Sequence, residues 1–143
     1  MTTYIIVLIL IFVPIVTLSL WYGIALIRHL TRNRWEGAWL TVDEFNSLKS
    51  IKKDFKGIYI FYNETKKMYY VGQSIHVIQR VKKHLSGYGN GDVYSDIKDG
   101  DVFKICLEKF RRTDFISLNK MEKHYIEKYD ACDSGYNRTK GNK

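Results

Sequence analysis

Cysteine and proline are scarce in this sequence. Its 143 residues contain two cysteines, Cys106 and Cys132, and a single proline, Pro14. Two cysteines are too few for a disulfide framework, and neither a Cys-x-x-Cys pair nor a Cys/His spacing indicates a zinc site. Internal repeats and low-complexity segments are also missing. We therefore expect two reduced thiols, as in a cytosolic protein.

Charged side chains are absent from the first 27 residues. All 23 basic and 15 acidic residues lie from Arg28 onward, and the formal net charge is +8. The segment from Arg28 onward is long enough to bury one core and leaves no room for a second domain. Its positive charge suits polyanions, and charge alone does not choose between nucleic acid and anionic lipid headgroups.

The uncharged N-terminal segment is long enough to span a bilayer. Residues 4–27 are mostly apolar, and a helix rising ~1.5 Å per residue over that length would cross the ~30 Å hydrocarbon layer. The alternative of a buried core helix is disfavoured, because a domain this small would have to surround the helix on every side. A signal peptide needs a basic start and a small-x-small cleavage site, which are missing. We expect a retained transmembrane anchor, residues 1–30, in which Pro14 produces a kink at most.

The residues that flank this segment predict its orientation. Arg28, Arg32 and Arg34 follow it, whereas its N-terminal side offers only the α-amino group. The positive-inside rule therefore puts the C-terminal domain in the cytoplasm, at the bacterial cell membrane. Trp35 and Trp39 come next, and the sequence leaves open whether they rest at the lipid headgroups or pack within the domain.

Three strands are predicted after residue 55. Residues 57–62 and 68–72 are rich in β-branched and aromatic side chains and are separated by the polar residues 63–67, the pattern of a hairpin. A third strand is predicted at residues 102–110.

Three helices are predicted as well. A short one lies between Leu40 and Phe55, within a juxtamembrane connector of residues 31–55, because its early acidic and late basic residues complement the helix dipole. Another, with Ser74 as its N-cap, runs to about residue 85, and the last runs from about residue 113 to residue 129, with Thr113 or Asp114 as its N-cap. Residues 92–100 are predicted to form a loop.

The last helix carries a carboxylate on its apolar face. Glu122 falls inside a face defined by three- and four-residue spacing, formed by Phe115, Leu118, Met121, Tyr125, Ile126 and Tyr129. Burying an unpaired carboxylate costs several kcal/mol, so a cation should lie nearby, from Arg, Lys or a bound metal. The alternative is a glutamate at the edge of the face that reaches water.

The hairpin and the helix after it offer further polar groups. Strand alternation sends Tyr59 and Phe61 to one side of the sheet, and Tyr70 lies on the partner strand, so two phenol hydroxyls can converge. Arg80 stands one helical turn before His84, and its planar guanidinium suits a phosphate.

These residues together resemble a known family. The sequence GIY at residues 57–59, ten intervening residues, and YVG at residues 70–72 resemble the GIY-YIG nuclease motif, with Val in place of the second Ile. The resemblance covers roughly residues 56–138 and defines a domain of residues 56–143. Its further elements occur in the expected order, as Arg80, His84, Glu122 and the GYN of residues 135–137.

The resemblance implies a fold and an activity. Such nucleases hydrolyse DNA phosphodiester bonds with a divalent metal, usually Mg²⁺ with Mn²⁺ as a substitute, in a small α+β domain with a three-stranded antiparallel sheet flanked by helices. Glu122 would be the metal ligand, and either Tyr59 or Tyr70 would activate water. The implied catalytic residues are Tyr59, Tyr70, Arg80, His84 and Glu122, and the implied supporting residues are Gly57, Gly72 and Asn137.

Six further basic residues are candidates for contacts with the DNA backbone, although an ordinary solvated surface would explain them equally well. They are Lys82, Lys83, Lys104, Lys109, Arg111 and Arg112. No appended DNA-reading motif is present, so sequence specificity should be low or supplied by a partner.

A membrane-tethered nuclease of low selectivity would act on DNA that passes near the bilayer. We therefore expect a role in phage defence, or in DNA uptake or transfer, with a membrane or DNA-translocation protein as a further partner. The alternatives are a catalytically inactive adaptor that binds DNA or protein, and an exported toxin, which the basic cytoplasmic flank disfavours. Nothing in the sequence indicates an oligomeric state.

Overall fold

The computed structural model describes residues 13–24, 35–48, 53–110 and 115–141. The chain divides into two units, Met1–Arg34 and Trp35–Lys143. In the first unit, residues 13–24 are helical. The remainder of the predicted transmembrane span, residues 4–12 and 25–27, lies outside the described residues. Within the described ranges, no helix combines the length and the apolarity that crossing a bilayer requires.

The second unit is an α+β domain. Its strands are β1 (Trp39–Thr41), β2 (Gly57–Asn63), β3 (Met68–Ser74) and β4 (Phe103–Lys109). Its helices are α1 (Val42–Ser47), α2 (Val77–Leu85), α3 (Gly91–Lys98) and α4 (Leu118–Lys128).

The sheet has four antiparallel strands in the order β1-β4-β2-β3, so the predicted count of three was wrong. The hairpin β2–β3 and the strand β4 are confirmed. The additional strand, β1, lies in the stretch predicted as a connector and pairs Trp39 with Cys106. Three residues are too few to show the alternation by which a strand is recognised in a sequence.

The two faces of the sheet carry separate cores. Tyr59 and Phe61 lie on the face covered by α2 and α3, whereas Ile58 and Ile60 lie on the face covered by α4. The alternation predicted for β2 is therefore confirmed. In the hairpin, Tyr59 is opposite Gly72 and Phe61 is opposite Tyr70.

Three helix predictions need correction. Helix α2 begins at Val77 and its N-cap is His76 rather than Ser74, because the Ser74 hydroxyl accepts from the backbone N–H of His76 and closes a turn before the helix. Residues 91–98, predicted as loop, form α3, with the Asn90 side chain as its N-cap. Helix α4 is capped by Ser117, and the predicted caps at residues 113 and 114 lie outside the described residues.

The two tryptophans of the second unit differ in burial. Trp35 is buried and stacks on Phe55 with 5.2 Å between ring centroids. Trp39 meets Tyr62 edge-on at 5.9 Å and remains 37% exposed. Packing within the domain therefore describes Trp35, whereas Trp39 contacts the domain and keeps an exposed part.

Both cysteines are free thiols, as predicted. Cys106 is buried in β4, and this burial raises its thiol pKa to about 12. A thiol with that pKa is protonated and unreactive at neutral pH.

Candidate active site

A cleft of about 350 Å³ opens beside β3, the edge strand of the sheet. The hairpin contributes Tyr59 and Tyr70 to its wall, α2 contributes Arg80, and α4 contributes Glu122. Gly72 and Asn137 also line it. These residues are far apart in the chain, and the sequence identified them separately. In the folded domain they line the same cleft.

His84 lies behind this wall and is held in one tautomer. Its ring is fully buried, and its Nδ1 accepts the backbone N–H of Asn90 at 3.0 Å. Burial, followed by the charge of Arg80, lowers the pKa of His84 to about 4, so the imidazole is neutral at pH 7. Because Nδ1 is the acceptor, the proton of the neutral ring resides on Nε2, which donates to the Tyr59 hydroxyl at 3.1 Å.

The two phenols lie next to each other in the wall of the cleft. The Tyr59 oxygen accepts from Nε2 of His84 at 3.1 Å, and the Tyr59 and Tyr70 ring centroids are 6.2 Å apart. Burial raises the pKa of both phenols. The charge of Arg80 offsets part of this rise for both phenols, whereas the charge of Glu122 adds to it for Tyr70.

Glycines allow this close packing. A Cβ on Gly72 would overlap the Tyr59 hydroxyl, and a Cβ on Gly57 would overlap the backbone carbonyl of Glu108 in β4. Gly89 is constrained in the same way by the His84 ring. The glycines of the two tripeptides are thus needed for space against the tyrosine and the neighbouring strand.

Glu122 lies within the apolar face of α4, as predicted, between the buried residues Met121 and Ile126. Its exposed fraction is 7%, so it does not sit at the edge of that face reaching out to water. Its Oε2 accepts a hydrogen bond from the side-chain amide of Gln73 at 3.0 Å. Arg80 lines the same cleft.

Asn137 attaches the C-terminal tail to the edge strand. Its Oδ1 accepts from the backbone N–H of Val71, and its Nδ2 donates to the Val71 carbonyl, both at 2.8 Å. Val71 separates Tyr70 from Gly72, so the amide continues the hydrogen-bonding pattern of the sheet next to the cleft.

Two residues of the site were missed by the sequence analysis. Asn90 fixes the His84 tautomer through its backbone and caps α3 through its side chain. An asparagine between glycines before a helix is a capping signal, but residues 92–100 had been predicted as loop. Gln73, directly after the second tripeptide, carries no local signal, because its partners lie on α4.

The predicted DNA-contacting residues lie in different surroundings. Lys82 and Lys83 are exposed on α2, the helix that carries Arg80. Lys104 pairs with a carboxylate at 2.7 Å, and Lys109 lies over two aromatic rings. Arg111 and Arg112 lie outside the described residues.

The side chains that line the cleft can hold a divalent metal ion together with a substrate phosphate. In the part of the chain that the structure describes, no group of three or more His, Cys, Asp or Glu side chains could hold a metal ion. Magnesium commonly keeps several water ligands and is held by one or two carboxylates together with substrate phosphates. A carboxylate such as Glu122, in a cleft open to a phosphate, meets that requirement.

One family model matches most of the domain that contains this cleft. The model of the GIY-YIG catalytic domain matches residues 55–137, more than half of the chain. A solved structure that is similar is a mutant of the catalytic domain of intron endonuclease I-TevI, with 23% identity and a TM-score of 0.49, covering 61% of this chain and 96% of that one. No curated protein matches. From the family match we conclude that the chain belongs to the GIY-YIG family and that its second unit is a nuclease domain.

Proposed function

We propose that this protein is a membrane-anchored, Mg²⁺-dependent endonuclease that hydrolyses phosphodiester bonds of DNA entering a bacterial cell. The observation that supports the chemistry is the common cleft of Tyr59, Tyr70, Arg80 and Glu122. Phosphodiester hydrolysis needs an oriented water, stabilisation of charge on the phosphoryl oxygens and stabilisation of the leaving oxygen. The cleft offers a group for each of these tasks.

Tyr70 is the phenol better suited to activate water. It is half-buried, whereas Tyr59 is 2% exposed and its oxygen is engaged by His84. Burial raises the pKa of the Tyr70 phenol and the Arg80 charge lowers it, so the phenol would release its proton to solvent beside Arg80 before the attack. The water oxygen bonds to phosphorus while the bond from phosphorus to the leaving sugar oxygen breaks. The water proton passes to the Tyr70 phenolate, and solvent protonates the leaving oxygen. Arg80 stabilises the charge on the non-bridging oxygens, and His84 orients Tyr59.

Glu122 would hold the metal ion, with Mn²⁺ as a substitute for Mg²⁺. The bound ion supplies Lewis-acid stabilisation of the phosphate and of the leaving oxygen. The exposed Lys82 and Lys83 follow Arg80 along α2 and would contact backbone phosphates without reading the bases.

A plasmid assay tests the activity. The full chain, purified in mild detergent, is incubated with supercoiled plasmid and titrated Mg²⁺, beside Arg80→Ala, Glu122→Ala and, as a matched control, Glu127→Ala, an exposed glutamate of the same helix. We expect cleavage by the unmodified chain and by the control, and a loss of about 10²-fold or more in the other two variants. If the unmodified chain does not cut the plasmid at any Mg²⁺ concentration, the result would favour the alternative, an inactive adaptor that binds DNA or protein.

Three features support the anchor. Residues 4–27 are uncharged, and the helical residues 13–24 carry exposed apolar side chains, Trp21 among them at 71%. The hydroxyls of Thr17 and Ser19 donate to carbonyls of the same helix at 2.9 Å, which satisfies them without water, as a bilayer requires. The basic residues that follow the segment would orient the nuclease domain to the cytoplasm.

Tethering would confine an unselective nuclease to DNA near the bilayer, such as phage DNA or DNA taken up or transferred, and a DNA-translocation protein would be a suitable partner. The test compares the full chain with a chain that lacks residues 1–30, and with Glu122→Ala, for protection of cells against phage. We expect protection only for the full active chain, and recovery in the membrane fraction for both chains that keep residues 1–30. Equal protection by the truncated chain would contradict a role for the anchor.

A further inference from the structure

Gln73 links the edge strand to the helix that carries the cleft carboxylate. Its side-chain Nε2 donates to Oε2 of Glu122 at 3.0 Å and to Oδ1 of Asn119 at 2.9 Å. We infer that Gln73 is a positioning residue that fixes the direction of the Glu122 carboxylate for metal binding. This inference rests on the proposed function, in which Glu122 holds the metal ion.

The chemistry of the groups determines how the amide is turned. An ionised carboxylate only accepts hydrogen bonds, so the Gln73 nitrogen, not its oxygen, must face Glu122. Both hydrogens of that nitrogen are used, one toward each residue of α4. Asn119 and Glu122 are three residues apart on the helix and therefore share a face. An amide held at two points cannot rotate without breaking a hydrogen bond.

The consequence falls on the metal ligand. A carboxylate with one oxygen held by a fixed amide cannot turn freely about its last bond, so its other oxygen keeps one direction. A magnesium ion tolerates little deviation from octahedral geometry, and among the described residues that line the cleft Glu122 is the one carboxylate. Partners that orient a metal ligand typically contribute 10–100-fold to metal affinity or activity.

A positioning role and a purely structural role predict different results. Loss of the Gln73 amide removes a hydrogen bond to the buried Glu122 carboxylate, so some loss of stability is expected in either case. Only a positioning role predicts that the folded chain also binds the metal ion more weakly, which can be measured without any DNA cleavage.

The test uses Gln73→Met, which keeps the length of an unbranched side chain and removes both N–H donors. Mn²⁺ is titrated into the metal-free full chain in detergent, and the free ion is followed by electron paramagnetic resonance. We expect about tenfold weaker Mn²⁺ binding, measured at a temperature at which circular dichroism shows both chains to be fully folded. Gln79→Met, at an exposed glutamine of α2, is the matched control and should bind Mn²⁺ as the unmodified chain does.

Two more measurements test whether Gln73 acts through Glu122. The Mg²⁺ concentration for half-maximal plasmid cleavage should rise about tenfold in Gln73→Met, with most of the rate recovered at saturating Mg²⁺. In a Glu122→Ala background, Gln73→Met should weaken Mn²⁺ binding no further, because residues that act as one unit are not additive.

The outcomes separate this inference from the proposed function. Mn²⁺ binding by Gln73→Met equal to that of the unmodified chain, or a further loss in the Glu122→Ala background, would overturn the positioning role. If the unmodified chain cuts DNA and Glu122→Ala does not, the proposed function stands even then. An unmodified chain that neither cuts DNA nor binds Mn²⁺ would refute both.

Discussion

The buried His84 should make the stability of this domain depend on pH in a predictable way. In the unfolded chain its pKa is the ordinary 6.5, whereas in the folded protein burial lowers it to about 4. Below pH 6.5 His84 binds a proton in the unfolded chain, whereas in the folded protein it stays neutral until the pH approaches 4. The stability linked to His84 is therefore present above pH 6.5 and is lost as the pH falls from 6.5 toward 4.

The size of this effect follows from the two pKa values. A shift of one pKa unit corresponds to about 1.4 kcal/mol, which makes the full loss about 3 kcal/mol and the loss between pH 7 and pH 5 about 2 kcal/mol. The assay is denaturant unfolding of the full chain in detergent, followed by fluorescence of the buried Trp35. The control is His84→Gln, which keeps an amide in place of the ring and has no titration in this range.

We expect the unmodified chain to lose about 2 kcal/mol more than His84→Gln between pH 7 and pH 5. Carboxylates titrate alike in both chains, so the difference isolates His84. If His84→Gln does not fold, ¹⁵N NMR of the unmodified chain provides a second test. We expect a neutral His84 ring that is protonated at Nε2 at pH 7 and at pH 5. Equal losses in the two chains, or a ring that titrates near pH 6.5, would refute the reasoning.

Three further predictions concern the cleft. Gly72→Ala forces a Cβ against the Tyr59 hydroxyl, so denaturant unfolding should show a loss of about 1–3 kcal/mol; unchanged stability and cleavage would contradict this. Asn137→Ala leaves the Val71 N–H and carbonyl without their partner and should cost about 1–3 kcal/mol in the same assay, whereas a variant as stable as the unmodified chain would argue against the clamp. Tyr70→Phe should lower the plasmid cleavage rate more than Tyr59→Phe, and a larger loss in Tyr59→Phe would assign water activation to the other phenol.

The hairpin and the candidate residues could be predicted because their signals are local. Alternation along β2 separates Tyr59 from Ile58 whatever the rest of the chain does, since strand geometry dictates it. The spacing of α4 likewise sets Glu122 among apolar residues. The two tripeptides identified the family because their glycines are needed for space and their order along the chain is preserved.

The elements that were missed depend on contacts from elsewhere in the chain. Strand β1 has only three residues and exists because it pairs with β4. Helix α3 is polar, and its buried Val93 joins a core that α2 and the sheet complete. Tertiary context overrides weak local preference in such segments.

Sequence alone determined which residue types are available for chemistry, because motif spacing and strand alternation are properties of a chain read locally. Only the tertiary structure decided how those residues work together. The proton on Nε2 of His84 depends on the backbone of Asn90, and the direction of the Glu122 carboxylate depends on Gln73, 49 residues away along the chain. Hydrogen bonds between distant segments exist only once the chain has folded, so no local pattern records them.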